Sequence, residues 1–131
     1  MSRTIAKIVF ILASALAIAT AHAHGDAPAK HGGIVKVAND ITFELVVKPD
    51  AAELYLDDHG AALATAGMRG KLTVLNGTEK SEVDLKPAGD NRLEAKGVKI
   101  DPGAKVIAAV SSADGKSTMS VRFAIARSTT P

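Results

Sequence analysis

The chain has 131 residues, 47% of them hydrophobic, with no cysteine, no tryptophan and a formal charge of +2. That length allows one domain, and without cysteine an exported domain must be held by a packed core rather than by disulfides. Arg3 and Lys7 account for the whole net charge despite a pI of 9.0, so the rest is neutral, and the lack of a basic stripe with interleaved aromatics argues against nucleic acid as a partner.

Residues 1–23 have the three parts of a secretory signal. Arg3 and Lys7 form a positive start, residues 8–18 form an uncharged apolar run, and small residues follow. The run is shorter than the roughly 20 residues that span a bilayer, so no membrane span is expected after cleavage. Ala21-His22-Ala23 fits a cleavage site that leaves His24 first; Ala19-Thr20-Ala21 fits one that leaves His22 first. A terminal amine beside an imidazole is a chelating unit for a borderline metal such as Cu(II). With His22 first, the amine, two amides and the His24 imidazole form a square-planar site.

Residues 24–33 read as a flexible linker of Gly, Ala, Pro, Lys and His without a period. His22, His24 and His31 fall within one short stretch, three of the four histidines in the chain. No apolar residue in the linker offers a means of fixing it to a domain, so metal held there is expected to leave folding stability unchanged.

Residues 34–131 read as a β domain. Residues 34–37 form a short strand, and Asn39-Asp40 turns it. Residues 41–48 put Ile41, Phe43, Leu45 and Val47 on one face, with Thr42, Glu44 and Lys48 on the other. Residues 52–57 put Ala52, Leu54 and Leu56 inward, with Glu53, Tyr55 and Asp57 outward. Asp58-His59-Gly60 is a turn. Residues 61–70 read as a crossing loop, because Gly67 and Gly70 weaken a helix. Residues 71–75 are a strand closed by Asn76-Gly77, a hairpin signal. Residues 82–86, 91–96, 105–111 and 117–126 complete the set, and the apolar character of 105–111 on both faces suits a central strand.

About seven or eight short strands with regular turns and no helix point to an all-β fold, an immunoglobulin-like antiparallel β-sandwich. The Cys-Trp-Cys signature of true immunoglobulin domains is missing. The expected core contains Phe43, Leu45, Leu54, Leu56, Val74, Val83, Val121 and Phe123. Three aromatics follow the leader, Phe43, Tyr55 and Phe123, too few to line a carbohydrate or peptide groove.

His31-Gly32-Gly33, the run at residues 41–46, the run at 54–60 and Pro87-Ala88-Gly89-Asp90-Asn91 resemble a known module. It is the small periplasmic β-sandwich that precedes the hairpin in adaptor subunits of heavy-metal efflux pumps (CzcB-like), also found as free-standing proteins. The similarity covers residues 31–126. A looser similarity is to periplasmic copper-resistance sandwiches (CopC-like), without the methionine-rich loop that some of them have. The resemblance implies a sandwich fold, the periplasm, a metal-resistance setting and a family position for His31. The chain lacks the helical hairpin, lipoyl-like and barrel parts of the adaptors, which implies that it does not bridge a pump by itself.

The candidate metal ligands are His24, His31, His22 and His59, for Cu(II) or another divalent ion such as Zn, Ni or Co. Asp57 and Asp58 add oxygen donors beside His59, although such a cluster is also ordinary turn chemistry. Met68 and Met119 are soft donors, but Met119 lies in the inward register of its strand. No P-loop, GxGxxG, HExxH or nucleophile elbow is present, and no enzyme is expected. Two functions follow. One is a periplasmic metal-binding accessory protein that scavenges, buffers or hands over its ion to an efflux complex. The other is a metal-free interaction module of an envelope complex, docking through a sheet edge or the loop at 61–70.

Overall fold

A computed structural model of the protein describes residues 28–127. The expected leader and its expected cleavage sites, with His22 and His24, lie outside that range. The described chain is all strand and turn: β1 (Ile34–Ala38), β2 (Ile41–Val47), β3 (Ala51–Asp58), β4 (Ala61–Ala62), β5 (Arg69–Asn76), β6 (Glu79–Pro87), β7 (Arg92–Lys96), β8 (Lys105–Ser111) and β9 (Thr118–Ala124). The expected all-β, sandwich-like fold is the fold observed.

Local chemistry sets the hairpins. Asn39 and Asp40 both have positive φ, 51° and 63°, between the paired residues Ala38 and Ile41. That is a type I′ turn, whose twist matches the flanking strands. His59 and Gly60 repeat it, with φ of 49° and 84°, between Asp58 and Ala61. At Asn76–Glu79 only Gly77 is positive, in the first loop position, as a type II′ turn requires.

The strands follow the order β1-β2-β3-β7-β6-β5-β8-β9, with β4 on β3, and every pairing is antiparallel. The sheet is nearly barrel-shaped. One arm is β1-β2-β3-β7; the other is β5-β8-β9, joined to it by β6. Strands β5, β6 and β7 form a meander, and β8 returns beside β5, which is a Greek key. Two connections cross between the arms. In residues 63–68, the buried Thr65 hydroxyl donates to the Asp90 and Arg92 carbonyls at 3.2 and 2.9 Å. In residues 97–104, Val98, Ile100 and Ala104 are buried. The Asn76 side chain clamps that stretch, donating to Lys99 O at 2.8 Å and accepting from Asp101 N at 3.0 Å.

Period-two alternation places the core. Phe43, Leu45, Leu54, Leu56, Val74, Val121 and Phe123 are buried together, and Val83 is half-buried against them. Five details differ from expectation. Met68 is buried core, not an open loop thioether. Val47 is exposed at its strand end. Strand β6 extends well beyond residues 82–86, and the short β4 breaks the expected loop. The largest difference is that Glu44 and Glu53, expected on the solvent face, are buried.

Candidate functional site

The buried acids lie on the outer face of the first arm. Cross-strand register puts Val35, Glu44, Tyr55 and Arg92 in one row across β1, β2, β3 and β7. Over this row folds the segment that precedes β1. The Glu44 carboxylate accepts the backbone N–H of Lys30 at 3.0 Å, of His31 at 2.8 Å and of Gly33 at 2.8 Å. His31 Nδ1 meets the same carboxylate at 3.0 Å. The His31 ring lies flat on Tyr55, with centroids 3.6 Å apart and planes 8° apart.

The His-Gly-Gly run has a steric reason. Gly32 has a φ of +72°, a region that L side chains rarely adopt. Gly33 passes so close to β2 that a Cβ there would stand 2.4 Å from Leu45 O. Glycine is required at position 33 by the close approach and favoured at position 32 by the backbone conformation. Residues 30–33, read from sequence as the end of a flexible linker, are therefore tied to β2. The fixing group is a carboxylate, where the sequence reading had looked for an apolar anchor.

Burial pushes the Glu44 carboxyl up, but the hydrogen bonds from Gly33, the His31 ring, His31 N–H and Lys30 N–H outweigh it. The net effect holds Glu44 below the usual carboxylate range, because each donor favours the charged form. Glu53 behaves alike: burial raises it, and Lys48, Tyr55 and Arg92 together bring it below the ordinary value. Lys48 Nζ is 3.0 Å and Arg92 Nη1 3.4 Å from its Oε1, and the Tyr55 hydroxyl donates to Oε2 at 2.8 Å. Burial, followed by that bond to Glu53 and the Glu53 charge, raises the Tyr55 phenol. Lys30 Nζ reaches Asp57 Oδ2 at 2.8 Å, and Asn91 Nδ2 donates to Asp57 Oδ1 at 3.1 Å.

Of the sequence-selected histidines, His31 and His59 are described. His31 sits in this network. His59 is on the tip of the β3–β4 hairpin, exposed, with Nδ1 paired to Asp58 Oδ1. Asp57 is engaged by Lys30 and Asn91, so Asp57, Asp58 and His59 do not converge as a ligand set. Among the described residues no group of three His, Cys, Asp or Glu side chains is placed to hold a metal. The chemical capacity lies in single rings. A carboxylate only accepts, so in the neutral ring His31 Nδ1 carries the proton and Nε2 keeps its lone pair. A ligand histidine usually has this arrangement: a carboxylate behind the ring fixes its tautomer and raises its basicity.

The sequence reading missed Lys30, Glu44, Glu53 and Tyr55 as a unit. The available signal was two glycines entering a strand that pairs with an acid-bearing one. No family model, curated protein or solved structure matches the chain.

Proposed function

We propose that the protein is a periplasmic, non-enzymatic metal-binding accessory protein. It takes up Cu(II), or a similar divalent ion such as Zn, Ni or Co, at its histidine segment and passes it to a heavy-metal efflux system by ligand exchange. His24 and His31 supply the donors, with the amine that export processing creates; cleavage after Ala21 instead adds His22. The observation that carries the reading is the Glu44–His31 contact at 3.0 Å, which aims the free Nε2 of one ring away from its carboxylate. The resemblance to CzcB-like modules supports the same setting.

Tyr55 provides the test. It is the only tyrosine, and the chain has no tryptophan, so tyrosine emission reports on the ring stacked against His31. Copper titrated into the exported protein at neutral pH is expected to give one-to-one heat in calorimetry and to quench that emission. Absence of binding heat rejects the metal function. Heat without quenching moves the ion off His31 and onto the new amino terminus and its histidine.

A further inference from the structure

The outer face of the second arm is built differently. Register sets Lys80, Leu75, Lys105 and Ala124 in one row across β6, β5, β8 and β9, and Glu82, Thr73, Ile107 and Arg122 in the next. Lys36 of β1 joins them, and together with the members of these rows other than Glu82 it lines an open groove of about 560 Å³. Its floor is aliphatic, and Leu75 is 37% exposed there. Lys80 stands 3.6 Å from Glu82. Lys36, Lys105 and Arg122 form no ion pair with any described residue. Beyond residue 23 the chain carries no net charge, so these free cations are a local concentration of charge and not a reflection of overall basicity.

We propose that this face docks on a bilayer surface rich in anionic phospholipid. Charge complementarity selects the phosphate headgroup, since each Lys or Arg close to such a surface multiplies the partition about fivefold. The exposed cations share the groove with an apolar floor, the setting in which lysine and arginine lay their stems on apolar surface and keep their heads in the polar layer. A protein partner of comparable affinity would call for aromatic anchors seated in pockets beside the one arginine, Arg122. The aromatic ring nearest this groove, Phe123, points into the core and is 2% exposed. The proposal is independent of the metal site, which lies on the other arm.

The test is cosedimentation of the exported protein with vesicles at low ionic strength. It should partition onto phosphatidylglycerol vesicles, hardly at all onto phosphatidylcholine, and come off as salt screens the charges. Lys105→Glu combined with Arg122→Glu should lower the partition at least about twentyfold, from two such factors. Lys86→Glu combined with Lys116→Glu makes the same charge change on exposed residues outside the groove and should keep most of the binding. No partition, equal partition onto both lipids, or equal loss in the two double variants would overturn the proposal. So would capture of poly-glutamate without capture of vesicles, which would assign the face to an acidic protein segment. Melting of all variants, unchanged from the parent, confirms that the charges and not the fold are being read.

Discussion

The outer faces of the two arms began with the same pattern and ended differently. On β2 and β3 polar residues such as Thr42, Glu44, Glu53 and Asp57 alternate with the core positions, and so do Lys71, Thr73, Ser120 and Arg122 on β5 and β9. Yet Glu44 and Glu53 are buried, while Lys105 and Arg122 stand in solvent. Glu53 is enclosed by Lys48, Tyr55 and Arg92; for Glu44 the difference is four residues of preceding chain. Residues 30–33 fold back over the first arm and place three backbone donors and a ring on one carboxylate, and nothing described does this for the second arm. Alternation decides which side of a strand faces the core. It does not decide whether another part of the chain covers the far side.

The core should not distinguish the arms. Leu56→Ala in the first and Phe123→Ala in the second should each cost about 2–5 kcal/mol, because both side chains are fully enclosed. Denaturant melts measure this, and a loss below about half a kcal/mol in either would mean that the arm is not part of one core.

Metal gives the next largest effect. Because Glu44 holds His31, the expectation of unchanged stability no longer follows. An ion bound only by the folded arrangement stabilises by about 2.7 kcal/mol at a hundred times its dissociation constant. The upward shift in melting should appear in the parent and in His59→Ala and be lost in His31→Ala. A shift absent from the parent would place the ion wholly on residues before Pro28.

Glu44→Gln attacks the covering itself. It should cost about 2 kcal/mol, the range for hydrogen bonds to a charged group, and release the Tyr55 stack. Its pH dependence has a definite sign. Glu44 is depressed in the folded state relative to an ordinary value of 4.5. Its contribution is therefore complete above that value and is lost as pH falls toward the lower folded one. Stability of the parent should fall through that acid window, and Glu44→Gln should fall less steeply. Parallel acid profiles would show that the carboxylate is not what fastens the segment.

The smallest effect belongs to the uncovered arm. Arg122→Ser and Lys105→Ser should change stability by no more than about 0.5 kcal/mol. A larger loss would reveal a covering on that face too.

These contrasts mark what was legible in the chain. The Asn39-Asp40 and Asn76-Gly77 turns were readable because their backbone demands select so few residues. The inward set from Phe43 to Phe123 was readable because a pleated strand has a strict period. Met68, Val98 and Ile100 were not, since connecting segments have no period to betray burial. The environment of His31 was hidden for another reason. Its neighbours come from β2 and β3, and a carboxylate that captures backbone N–H groups has no signature in its own strand. What remained visible was the steric residue of that arrangement, the paired Gly32 and Gly33.

The Asn76 clamp has a consequence for the order in which the chain folds. Its amide can bridge Lys99 and Asp101 only after the β5–β6 hairpin has positioned it. The hairpin closes on neighbours, whereas pairing Leu72 with Ala108 must first close a long loop. The crossover of the Greek key is therefore expected to dock after the β5–β6 hairpin. Weakening it, as in Asn76→Ala, should steepen escape from the native state and leave the speed of arrival untouched. A single side chain at the tip of one hairpin would then set how long the domain lasts once folded.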